Sequence, residues 1–155
     1  MRPLSLGSIV LSALLLVPSE SSACDCAWLG LRASIDRSVV IATGRVISME
    51  RNEWGAISVE VAVRETLKGR PGTNLTIQAE PWGMSCYGYH FQVGHDYLLF
   101  IGRNRRDDVM KAPPGSYVVY LCSGTSELSQ GPTTEPSRGE QLLEDVRKAL
   151  VSRKR

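Results

Sequence analysis

The chain has 155 residues, 43% of them hydrophobic, and a net charge of +2. Once a leader is set aside, that is one domain's worth of sequence, long enough to bury a core. The positive residues are dispersed, which argues against nucleic acid as a partner; the one basic run, Arg153, Lys154 and Arg155, has the character of a solvated chain end.

Arg2 supplies a positive start, and an apolar run over residues 4–17 follows, interrupted by Ser5, Gly7, Ser8 and Ser12. Pro18 ends the run, and Ser21, Ser22 and Ala23 offer the small residues that signal peptidase requires. Residues 1–23 are therefore expected to be a cleaved signal peptide, leaving one domain over 24–155. The run falls short of the roughly 20 apolar residues that cross a bilayer, so no membrane span is expected. Export implies a secreted, extracellular protein, or a periplasmic or surface one in a bacterium.

Four cysteines stand at Cys24, Cys26, Cys86 and Cys122. An even count in an exported chain favours two disulfides, with three connectivities open. A bond between Cys24 and Cys26 would close a small strained ring and ranks last. A structural zinc site is disfavoured because the spacing lacks Cys-x2-Cys pairs. Cleavage after Ala23 would make Cys24 the first residue. Its free amine and its own carbonyl oxygen could then chelate a metal, and a disulfide would hold that pair rigid.

A short helix is expected over residues 28–36, with Trp28, Leu29, Leu31 and Ile35 packing inward. Residues 38–49 are rich in β-branched side chains and predict a strand, with Gly44 marking a bulge or sharp coil. Ile57, Val59, Val61 and Val63 alternate with polar residues, the mark of a half-buried strand. A turn over 68–72 leads to a short strand with Leu75, Ile77 and Ala79 facing in. Residues 97–101 and 117–121 complete five strands, which in so small a domain point to a closed or partly closed barrel. A loop is expected over 123–136. A C-terminal helix over about 137–152 should follow, opened by a Ser137/Glu140 capping box. Its apolar stripe would be Leu142, Leu143, Val146, Leu150 and Val151, with basic residues gathered toward its C-terminal end.

Catalytic signatures are sparse. His90 and His95 are the only histidines, and their spacing suits no zinc pattern; they are expected to be polar loop residues. Ser85, His90 and Asp96 make a triad only on paper. There is no Gly-x-Ser-x-Gly elbow, His-Glu-x-x-His pair or Gly-rich phosphate loop. The chain is expected not to be an enzyme and to carry no cofactor.

Several stretches resemble one known family. They are Cys24-Asp25-Cys26 followed by a short helix, then Ser38-Val39-Val40-Ile41-Ala42-Thr43-Gly44-Arg45-Val46, and Val59-Glu60-Val61 running into Lys68-Gly69. Ser85-Cys86-Tyr87-Gly88-Tyr89 before Gly94-His95-Asp96-Tyr97-Leu98, and Cys122, complete the set. In this order they resemble the tissue inhibitors of metalloproteinases and the related netrin-like modules, over residues 24–128. The resemblance implies an all-β fold, a five-stranded oligonucleotide/oligosaccharide-binding (OB) barrel, with flanking helices. It also implies disulfides Cys24–Cys86 and Cys26–Cys122, and a protease-binding ridge of Cys24, Asp25, Cys26, Ala27, Ser85 and Cys86.

The implied function is inhibition of a zinc metalloprotease by a monomer, with Cys24 binding the target's zinc in trans. Asp25 departs from the small uncharged residue usual there, and a buried unpaired carboxylate is costly. The family's third disulfide and its C-terminal domain are missing, as befits a single-domain, bacterial-type member. The alternative is a non-inhibitory netrin-like module that holds an extracellular protein or glycan, possibly lipid-anchored through Cys24.

Overall fold

The computed structural model describes residues 30–80, 89–105, 112–129 and 135–153. In chain order these form helix α1 (Leu31–Arg37), strands β1 (Val40–Arg51), β2 (Ile57–Lys68), β3 (Asn74–Ala79), β4 (Asp96–Arg103), β5 (Tyr117–Val118) and β6 (Ser126–Glu127), and helix α2 (Arg138–Ser152). A 3-10 turn at Leu121–Ser123 separates β5 from β6.

The strands close on themselves. β1 pairs antiparallel with β2 and also with β4, β2 with β3, and β4 with β5. The circuit is completed by a parallel ladder between β3 and β5, in which Gln78 faces Val118. This order, β1-β2-β3-β5-β4 and back to β1, is an OB barrel, and closure removes the open sheet edges that invite aggregation.

Side-chain alternation divides the core in two. Val59 and Val61 of β2, Ile77 of β3, and Leu99 and Ile101 of β4 point into the barrel, all fully buried. On β4 the intervening Leu98 and Phe100 point outward, yet they too are buried. They pack against Ile35 of α1 and Val146 of α2. β4 is therefore apolar on both faces, which explains its unbroken hydrophobic run. Burying each such side chain stabilises by about 1.5–3 kcal/mol.

β1 serves two neighbours and must coil sharply. Its register with β2 slips between Thr43 and Gly44. A Cβ on Gly44 would lie 2.5 Å from Val61 Cγ1 and 2.8 Å from the Ala62 carbonyl oxygen, so only glycine permits this approach. Another slip, between Val46 and Ser48, turns Ile47 out to solvent.

α2 starts with the expected reciprocal cap. The Glu140 N–H donates to Ser137 Oγ at 3.3 Å, and the Ser137 N–H donates to Glu140 Oε2 at 2.7 Å. Leu142, Leu143, Val146 and Leu150 pack on the outer cluster, but Val151 is 58% exposed. At about 100° per residue it stands some 140° around the helix from Val146 and misses the buried face. The last turn of α2 itself carries no basic residue; Arg147 and Lys148 stand before it and Arg153 at the C-cap. Arg147 reaches Glu65 at 2.6 Å, and Arg153 reaches Asp36 at 2.6 Å.

Two further expectations need correction. β5 is only Tyr117–Val118, shorter than 117–121, because after one more ladder bond, from the Val119 N–H to the Gln78 carbonyl, the chain bends into the 3-10 turn. The expected loop over 123–136 contains β6, which lines the stretch of β4 that β5 is too short to reach. Among the described residues, no helix is long and apolar enough to cross a membrane.

Candidate functional site

Cys24, Asp25, Cys26, Ala27, Ser85 and Cys86 lie outside the described residues, as do Trp28 and Leu29. Of the cysteines only Cys122 is described, in the 3-10 turn that follows β5, and it is disulfide-bonded. What the fold supplies is the frame to which those segments attach.

One side of that frame is the outer face of β4. α1 is seated there through Ile35, which packs in one cluster with Leu98 and Phe100. The turn that carries Cys122 is fastened to the same strand, since the Phe100 N–H donates to Thr125 Oγ1 at 3.0 Å. The Leu128 N–H then donates to the Asp96 carbonyl at 2.8 Å. Gly124, with φ 99°, allows the reversal between Cys122 and Thr125. The element that follows Cys24–Ala27 and the element that bears Cys122 thus share one strand as their seat.

Parallel pairing supplies the second side. Because β3 and β5 run the same way, they leave the barrel at the same end. The chain is held on both flanks of the stretch at 81–88. Ala79 is fully buried upstream, and downstream Tyr89, Phe91 and Tyr97 form an aromatic cluster. Their ring centroids stand 4.7 Å (Tyr89–Phe91), 5.0 Å (Phe91–Tyr97) and 6.0 Å (Tyr89–Tyr97) apart, the last two pairs edge-to-face. Burial, then the neighbouring Tyr97 and Glu127, pushes the Tyr89 phenol up to about 12, against a hydrogen bond from the Glu127 backbone. Burial likewise raises Tyr97, whose oxygen accepts the Gln92 N–H at 2.9 Å. Both phenols stay neutral at physiological pH and act as anchors.

Of the residues weighed for catalysis, Asp96 and His95 are otherwise engaged. Asp96 is bound by Arg45 Nη2 at 2.7 Å and Arg64 Nε at 3.2 Å, an arrangement that secures β4 to β1 and β2. The Asp96 partnership raises the Arg45 guanidinium above its ordinary value. His95 Nδ1 lies 2.5 Å from Glu127 Oε1, so this side chain ties the entry of β4 to β6. His90 is exposed. Among the described residues, no three His, Cys, Asp or Glu side chains gather as a metal site.

One contributor escaped sequence reasoning. Lys68, expected only as a turn residue, sends its ammonium to two backbone carbonyls at the end of α1. A lysine at the end of an amphipathic strand carries no signal of such a contact. Neither the comparison with protein-family models nor that with curated proteins gives a match.

Proposed function

We propose that this chain is an exported inhibitor of zinc metalloproteases that acts through the free amine and carbonyl oxygen of Cys24. A catalytic zinc keeps one coordination position open for water. The two Cys24 atoms would displace that water and close a five-membered chelate ring, while residue 25 enters the protease's specificity pocket. The resemblance to the tissue inhibitors of metalloproteinases motivates this reading. The observation that carries it is the common seat of α1 and of the disulfide-bonded Cys122 turn on β4 of an OB barrel. A terminus anchored in this way has its ordering entropy removed before it meets a target, which is how a rigid inhibitor gains affinity.

The test begins with the intact mass of the exported protein: cleavage before Cys24, two disulfides and no lipid are expected. A panel of zinc proteases is then assayed against the natural chain and against one carrying an extra Ala before Cys24. The natural chain should inhibit and the extended one should not. Equal inhibition by both would exclude chelation.

A second reading, a binding module without inhibitory activity, is favoured by one feature. Trp54, 53% exposed, caps the β1–β2 hairpin beside a polar row in which Asn52 Nδ2 donates to Gln78 Oε1 at 2.7 Å and Gln78 Nε2 to Ser58 Oγ at 2.9 Å. OB barrels hold oligosaccharides on this side. Failure of the natural chain against every protease would leave this reading standing.

A further inference from the structure

We propose that the outer face of β1, β2 and β3 binds a neutral polysaccharide, with Trp54 as the stacking surface, which rests on the binding-module reading above and does not depend on chelation by Cys24. Strand register assembles this face. Glu50, Ser58 and Gln78 lie side by side across the three strands, and Ser48, Glu60 and Thr76 form the next row. The intervening Met49, Val59 and Ile77 belong to the core inside the barrel. α1 and α2 pack instead on the outer face of β4, and Glu50, Glu60 and Thr76 are exposed.

Its polar groups are ordered before any ligand arrives. Asn52 Oδ1 accepts the Trp54 and Ala56 N–H groups, both at 3.0 Å. The Asn52 N–H donates to the Ala56 carbonyl at 2.9 Å, and the Gly55 N–H donates to the Asn52 carbonyl at 3.0 Å. Asn52 Nδ2 then reaches Gln78 Oε1 at 2.7 Å, and Gln78 Nε2 reaches Ser58 Oγ at 2.9 Å. Asn52 thus fixes the hairpin tip and ties it to the sheet. On that tip Trp54 is 53% exposed. An indole offers a broad, electron-rich face and has few rotors to freeze, so it holds flat apolar surfaces at small entropic cost. The C–H face of a pyranose ring is such a surface.

Charge selects the class of sugar. Glu50 and Glu60 stand on the face, Glu53 precedes Trp54, and the Arg51 side chain alternates to the opposite side of β1. A sulfated or uronate chain would therefore meet like charge, which disfavours it. Sugar hydroxyls suit the same groups. They can donate to the carboxylates and to Gln78 Oε1, and accept from the Ser58 hydroxyl, which takes the bond from Gln78 and has its own proton to give. Ser48 Oγ donates to Glu60 Oε2 at 3.1 Å and so holds one of these acceptors in place.

The probes are neutral glycans (a β-glucan, a galactomannan and chitin oligosaccharides) and anionic ones (heparin and alginate), tested by affinity electrophoresis and calorimetry with the exported chain. The natural chain should bind at least one neutral probe and neither anionic one. Trp54→Ala should weaken that binding about tenfold or more, and Trp54→Phe less, with the melting temperature unchanged. If Trp54→Ala lowers the melting temperature, Ser58→Ala gives the same reading without touching the tip. Neutral-glycan binding that survives both Trp54→Ala and Ser58→Ala would overturn this site and leave the module reading intact. A preference for heparin or alginate would overturn the choice of ligand. Binding to no glycan would overturn the inference, and the module reading would then stand only with a protein partner.

Discussion

Gly139 in the first turn of α2 faces the backbone carbonyl of Glu127 in β6 with no room between them for a methyl group. This contact sets how closely α2 lies on the edge of the barrel. A glycine inside a helix ordinarily costs up to about 1 kcal/mol relative to alanine. Here the opposing effect is larger. The oxygen that a Cβ would strike belongs to a strand held in register with β4, so it cannot yield freely.

Gly139→Ala should therefore destabilise the fold despite its better helix propensity, by about 1–3 kcal/mol. Thermal unfolding followed by circular dichroism reads this directly. A melting temperature equal to or above that of the parent would show that α2 sits more loosely than described.

The second expectation concerns acid. The hydrogen bond from Arg153, followed by the charges of Arg153, Lys68 and Arg32, holds the Asp36 carboxyl below its ordinary value. Asp36 therefore adds stability above the ordinary carboxylate pKa of about 3.9, and that contribution fades as pH falls through the lowered value. The C-terminal end of α2 should open to hydrogen exchange in that acid window while remaining protected at neutral pH. Asp36→Asn should expose it at neutral pH and remove the acid step. Persistence of the step in that variant would assign it to another carboxyl.

The third follows from the proposed chelation. Only the neutral amine of Cys24 donates to a metal, and an unperturbed terminal amine has a pKa of about 7.7–8.0. Inhibition should strengthen as pH rises through that range, once the protease's own pH profile is divided out. Asp25→Thr should tighten inhibition of proteases with apolar specificity pockets, because it removes a carboxylate that would have to be buried unpaired. A protease whose pocket offers a cation should show the reverse preference. If Asp25→Thr changed affinity for neither kind, residue 25 would not be entering the pocket.

The barrel strands declared themselves wherever side-chain chemistry repeats. The period of two in Val59, Val61, Leu75 and Ile77 marked strands buried on one face, and Ser137 with Glu140 marked the start of α2 to the residue. Elements without such a repeat stayed hidden. β6 is a Ser and a Glu whose only reason to be extended is the vacant edge of β4. Val151 fits a helical stripe by spacing yet faces water, since the width of the buried face depends on what lies beneath it.

The candidate site divides in the same way. An even cysteine count behind an apolar leader, together with the resemblance to the tissue inhibitors of metalloproteinases, nominated Cys24, Cys26 and Cys122. That α1 and the turn bearing Cys122 share β4, and that Lys68 reaches back to cap α1, were decided by the tertiary structure. Local periodicity reports only which face of a segment avoids water. Which partner covers that face, and which distant ammonium finds an unfilled carbonyl, depends on closing a barrel through residues as far apart as Gln78 and Val118.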